Sequence, residues 1–124
     1  MPNTDIKDIR EYIWARYVDY SYSGGEVDEN AYLTALEAYH RSHPVRVDGE
    51  TYYLAILYFE MAYAQAPETM YLYLARALEL LTRYVDRTGE SDWEPVTDRL
   101  EEARSSMSDL PDAERDALIV RVRD

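Results

Sequence analysis

Cysteine is missing from this 124-residue chain, and lysine and phenylalanine occur once each. The absence of cysteine excludes disulfides, Cys-ligated zinc, iron–sulfur clusters and thiol catalysis. Glycine is scarce too, with four residues, and proline contributes five. No apolar run is long enough for a bilayer. The most apolar stretch, Tyr52 to Ala66, contains Glu60 and several tyrosines, and is short of the ~20 residues that a transmembrane helix needs. Met1-Pro2-Asn3-Thr4-Asp5 has neither a basic nor an apolar region of the secretory type. The expectation is a cytoplasmic protein without a membrane partner.

Acid dominates what is there. Twenty-five Asp and Glu face 13 Lys and Arg, for a formal net charge of −12. That charge repels phosphate backbones and anionic lipid surfaces, which disfavours direct nucleic-acid binding and membrane association. Lys7 is the one lysine, beside 12 arginines. High-GC coding produces such a bias, and acidic chains with few lysines are also common in a salt-rich cytoplasm. Residues 51–90 carry 5 acids and 3 bases, whereas 1–50 and 91–124 each carry 10 and 5, so the middle of the chain is read as core and the flanks as solvated faces. Arginines alternate with acids, as in Asp98-Arg99-Leu100-Glu101-Glu102-Ala103-Arg104. This spacing allows i,i+3 and i,i+4 pairs on an exposed helix.

Apolar residues recur with the helical period. Ile6, Ile9, Ile13, Tyr17 and Tyr20 form the stripe of a first helix over about 4–21, with Thr4 or Asp5 as N-cap and Ser23-Gly24-Gly25 as its end. Asp28 caps a second helix reaching about Arg41, with Tyr32, Leu36 and Tyr39 on its apolar line. Pro44 and Val45 to Gly49 read as a loop. A third helix over about 50–65 is apolar nearly all round, the pattern of burial on several sides. Pro67 and Glu68 suit the first turn of a fourth helix, which runs to about Arg87 and stops at Gly89. Ser91-Asp92-Trp93-Glu94 fits a capping box for a fifth helix to about Met107. Pro111 opens a sixth, with Asp112 and Glu114 in its first turn and Ala117, Leu118, Ile119 and Val122 along it. The fold class expected is all-α: one domain over 1–124, a bundle of five to six helices.

The stretch Ala75-Arg76-Ala77-Leu78-Glu79-Leu80 resembles the second helix of a tetratricopeptide-type unit, with Leu54 and Leu57 near the large apolar positions of the first. The pattern then departs. Tyr58 stands where that motif has a small residue, Thr82 stands near its closing proline, and helix starts near Thr51 and Asp92 lie further apart than its period of about 34 residues. At most, the resemblance implies stacked helical hairpins with a concave peptide-binding face.

Candidate chemistry is sparse. Glu37 and His40 form a single Glu-x-x-His, with His43 in the following turn; together they are a conceivable metal set, but di-iron bundles use two such motifs and two further glutamates. A pair of partly exposed histidines at a helix end is the plainer reading. Glu60 and Glu79 are the carboxylates whose surroundings could shift their ionisation, with Arg76 or Arg83 as the expected partner of Glu60. No phosphate-binding loop, dinucleotide fingerprint, H-E-x-x-H or nucleophile elbow is present. The expectation is therefore a protein that is not an enzyme and carries no cofactor or metal.

Tyrosine is the outstanding excess: 13 residues against one Phe, seven of them between 51 and 90. A buried tyrosine needs a partner for its hydroxyl, so many rings should sit at the wet edge of the core. Neighbours such as Tyr71 and Tyr73, or Tyr52 and Tyr53, cannot share a helix face. The leading expectation is contact with a protein partner or a second copy through Tyr52, Tyr63, Tyr71 and Tyr73, with Trp14 and Trp93 as anchors. The alternatives are a small acidic inhibitor of a basic partner (an immunity protein or a nucleic-acid mimic), and a small metal or catalytic protein built on Glu37, His40 and Glu60.

Overall fold

A computed structural model of the chain describes residues 5–43, 49–89 and 94–122. It is all-α, with six α-helices and no strand among the described residues. These are α1 (Ile6–Ile13), α2 (Glu29–Ser42), α3 (Gly49–Ala62), α4 (Pro67–Thr88), α5 (Glu94–Met107) and α6 (Asp112–Val122), and α1 runs on into a π-helical turn over Trp14–Val18. Among the described residues, no helix is long and apolar enough to cross a membrane.

The local signals explain most helix ends. The Asp5 carboxylate accepts from the Lys7 amide at 2.9 Å, and that of Asp28 from the Ala31 amide at 3.1 Å. Each satisfies one of the amides that a first turn leaves open. Pro67 opens α4, where its missing N–H costs nothing. Gly89 closes α4 at φ 73°, in the left-handed region, and its amide bonds the Val85 carbonyl at 2.9 Å. Thr4, the loop at 44–48 and the capping residues Ser91 to Trp93 lie outside the described residues.

Helix 1 departs from the expected pattern. Regular α-helix stops at Ile13, and the π turn shifts the register so that the Asp19 amide reaches back to the Trp14 carbonyl at 2.7 Å. Tyr20 then takes φ 59° and stands 78% exposed, off the stripe assigned to it. The loop that follows is packed by tyrosines. The Tyr22 hydroxyl donates to the Gly25 carbonyl at 2.7 Å, which folds its ring over Gly24, where a Cβ would lie 2.6 Å from the hydroxyl oxygen. Tyr12 collects the rings of Tyr17, Tyr22 and Tyr32 edge-on at 6.2, 4.9 and 5.4 Å. On α2 the buried line is Tyr32, Leu33, Leu36, Glu37 and His40, while Tyr39 stays at the margin, stacked on His43. Two polar residues occupy inward positions there, and this is what hid the line from hydropathy.

The α3–α4 hairpin is the spine. Ten of the fourteen residues of α3 are buried, as its all-round apolarity requires. One core cluster joins Ile9 and Ile13 of α1, Leu33 and Leu36 of α2, Leu54, Ile56 and Leu57 of α3, and Leu80 and Leu81 of α4. A second joins Phe59 and Ala62 of α3, Leu74, Ala75, Ala77 and Leu78 of α4, and Ala103 and Met107 of α5. Helix 6 has no buried residue; it lies on the second cluster through half-buried Leu118, Ile119 and Val122. The arginine-bearing helix 5 was expected to pair its charges on an exposed face. Arg99 turns inward instead, 8% exposed, and donates to the Tyr17 carbonyl and to Glu60. The reason lies in the register: Arg99 precedes Ala103 and Met107 by one and two turns, on the buried side.

Candidate functional site

On α4, Arg76, Glu79, Arg83 and Arg87 recur every three or four residues and so follow one face. Across from them α2 presents Glu37 and His40. Arg76 is 8% exposed and Glu37 9%. Their contact is two-pronged: Nε donates to Oε1 at 3.1 Å and Nη2 to Oε2 at 3.2 Å. The Tyr58 hydroxyl, from α3, donates to the same Oε1 at 2.6 Å. Arg76 Nη1 donates to Glu79 at 3.3 Å and to the Val122 carbonyl at 2.8 Å. That carbonyl belongs to the last turn of α6, where open carbonyls and the helix dipole favour a cation. Arg83 closes the chain: it donates to Glu79, and its Nη1 lies 3.3 Å from His40 Nε2. Guanidinium nitrogens only donate, so Nε2 of His40 is the acceptor. One network thus joins α2, α3, α4 and α6.

The ionisation of its members follows from this geometry. Burial pushes the Glu37 carboxyl up, but hydrogen bonds from Arg76 and Tyr58 and the charge of Arg76 outweigh it, and the net direction is down. Tyr58 moves up, through burial first and then its bond to the Glu37 carboxylate. Glu60, by contrast, is raised by burial, against the opposing charge of Arg99.

Two clefts flank this network. The larger, about 560 Å³, is lined by Leu78, Glu79, Arg83, Arg87, Arg104 and Ile119 among others. The smaller, about 250 Å³, is lined by Glu37, Arg41, Tyr58, Tyr73, Arg76 and Arg121, with Leu72 and Val122. Among the described residues, six arginines therefore stand around two clefts of an acidic protein.

Tyr52 lies in the core at 2% exposure, its ring 5.4 Å from that of Tyr84, and offers no surface to a partner. Tyr63 is 48% exposed at the end of α3, with its hydroxyl 3.2 Å from Ser106 and 3.4 Å from Glu102 of α5. Trp14 is 40% exposed and shares a shallow cleft with Tyr53, near the start of α3. Ten helical residues, ~15 Å, separate Tyr53 from Tyr63, so these rings form no continuous patch. Tyr71 is half-buried against the second core cluster. Tyr73 packs edge-on against Tyr58 at 5.1 Å and opens on the smaller cleft. Trp93 lies outside the described residues.

Among the described residues, Glu37, His40 and Glu60 are each engaged by different partners. Glu37 is held by Arg76 and Tyr58, His40 faces Arg83, and His43 Nδ1 lies 2.9 Å from the Tyr39 carbonyl. Among the described residues, no group of three His, Asp or Glu is arranged to hold an ion. Glu60 meets Arg99 of α5 at 3.5 Å, not Arg76 or Arg83, which are engaged by Glu37 and Glu79. Sequence reasoning missed Arg41, Arg87, Arg104 and Arg121; their one signal was that arginine, unlike lysine, is plentiful. Comparison of the chain with protein-family models, curated proteins and solved structures finds no match.

Proposed function

We propose that this chain is a non-enzymatic helical protein that works by contact with another protein, through the face where α4 lies open between α5 and α6. The observation that carries this reading is the larger cleft. Its lining sets apolar Leu78 and Ile119 among Arg83, Arg87 and Arg104, beside Glu79, Thr82 and Asp86, and Arg87 and Arg104 have no carboxylate within ion-pair distance among the described residues. Apolar contact framed by arginine is the composition of an interface centre. The ionisable groups beneath are bound to one another, which leaves no free acid–base pair for catalysis among them. The nucleic-acid mimic is the weaker reading, because arginines break the acid on the exposed face of α6, where Arg115 bonds Asp112 at 2.7 Å.

The test is reversal of these two charges, R87E together with R104E. If light scattering gives the wild-type chain a mass above 14.5 kDa, the reversal should return it to one chain. If the wild type is a monomer at all concentrations, a partner captured by it should be lost by the variant. Retention of both the mass and the captured partner in the variant would sink the proposal.

A further inference from the structure

The smaller cleft carries a chemistry that protein contact does not require. Arg41 from α2 and Arg121 from α6 line it, and neither has a carboxylate partner within ion-pair distance among the described residues. Arg76, in its wall, gives four of its five N–H groups to Glu37, Glu79 and Val122, leaving one Nη2 hydrogen without an acceptor among the described residues. Among the described residues, Glu37 is the one acid in the lining, and it is bound by Arg76. Counted over the described residues, the lining therefore has two positive charges in excess, within a chain of net charge −12. Tyr73 has no hydrogen-bond partner for its hydroxyl among the described residues, and its ring stands against Tyr58 at 5.1 Å. Leu72 and Val122 complete an apolar side.

Two guanidiniums with no ion pair among the described residues, a further Arg76 N–H and a phenol hydroxyl make a donor set for an oxyanion with two charges. Guanidinium forks match the oxygens of phosphate and carboxylate in pairs. The two-charge excess favours a phosphate dianion over a single carboxylate. The volume, about 250 Å³, is below the ~300–1,000 Å³ of drug-sized pockets, so the ligand is small. The rings of Tyr58 and Tyr73 suit an organic body attached to the phosphate. We propose that the cleft of Arg41, Arg76, Arg121 and Tyr73 binds a small organic phosphate.

The test is calorimetric titration of the full chain, at fixed ionic strength, with inorganic phosphate, phenyl phosphate and succinate. The control is R87Q/R104Q in the other cleft. Saturable binding of phenyl phosphate, tighter than that of inorganic phosphate, is expected, and R41Q/R121Q should weaken it at least about tenfold. Arg41 and Arg121 are exposed, so this variant keeps its fold, and unchanged helical circular dichroism will check it. Y73F should weaken binding less. Three results would each overturn the proposal: no saturable binding; equal loss in R87Q/R104Q, which would mean diffuse attraction to arginine; or succinate binding as tightly as phenyl phosphate, which would assign a dicarboxylate instead. Because the contact variants and the ligand variants lie in different clefts, either reading can fail without the other.

Discussion

Arg76 binds both oxygens of Glu37, through Nε at 3.1 Å and Nη2 at 3.2 Å, across 39 residues of sequence. A buried pair of this kind is conditional: intact it contributes little over an apolar equivalent, but removal of one partner leaves a buried charge alone. R76M strands Glu37, leaves Glu79 with Arg83 alone and releases the end of α6. It should lower stability by about 3–5 kcal/mol, read as the midpoint of urea unfolding. Y58F removes one hydrogen bond to a charged group and should cost about 1.5–3 kcal/mol. R76K should resemble R76M more than wild type, since an ammonium cannot span both oxygens. A loss below about 1 kcal/mol in R76M would show that water replaces the guanidinium.

The same pair sets an acid limb. The Glu37 carboxyl is held below its ordinary value of 4.5 in the folded chain. The unfolded chain therefore binds its proton first, and stability falls as pH falls. This contribution is complete above about pH 4.5 and disappears as pH drops through the folded value. Glu60 has the opposite sign: burial raises it, so its contribution is present at low pH and is lost as pH rises through its folded value. Urea midpoints measured at stepped pH should show a flatter acid limb in E37Q and, in E60Q, a flatter slope on the side above pH 4.5. Identical slopes in E37Q and wild type would mean that Arg76 does not stabilise the ionised carboxylate.

An alkaline limb should come from the tyrosines. Tyr12 is pushed up to about 12 by burial and by the charge of Glu29, and Tyr58 is raised by burial and Glu37. A phenol raised in the folded state holds its proton after the unfolded chain has lost it. Its contribution is thus whole below the ordinary value of 10.0 and is lost as pH rises through the folded one. Tyrosinate absorbance should therefore rise in two stages, with the second coinciding with loss of helical circular dichroism. Y12F should remove part of the second stage. A single stage completed while the helices persist would contradict the burial of these rings.

Most of the architecture was legible because its signals are local. Asp28, Pro67 and Gly89 mark helix ends through the amides they cap or omit, and the all-round apolarity of α3 announced a central helix. Two kinds of feature escaped. The π turn after Ile13 leaves no trace in hydropathy, because Tyr17 and Tyr20 sit at good helical spacing whether or not the register slips. Inward charges escaped too. Glu37, Arg76 and Arg99 are buried because their partners come from other helices, and no single stretch of sequence contains both halves of such a pair. The sequence reading placed tyrosine hydroxyls at the wet edge of the core and did not foresee carboxylates of this chain as their partners: Glu29 for Tyr17, Glu37 for Tyr58 and Glu102 for Tyr63.

Two of those tyrosines separate folding from contact. Tyr52 is 2% exposed and packs on Tyr84, whereas Tyr63 is 48% exposed at the end of α3. Truncation of a buried aromatic costs the transfer of its ring and leaves a cavity, so Y52A should lower stability by about 3–5 kcal/mol. Tyr63 keeps a ring contact with Phe59 at 5.5 Å and weak hydroxyl contacts to α5, so Y63A should cost no more than about 1 kcal/mol. Any loss of partner binding in Y52A is thus expected to follow loss of helix, while a loss in Y63A at unchanged circular dichroism would extend the contact from the arginine cleft across α5 to the end of α3. If Y52A instead folds as well as wild type, the packing of α3 against the last turns of α4 is looser than its burial indicates.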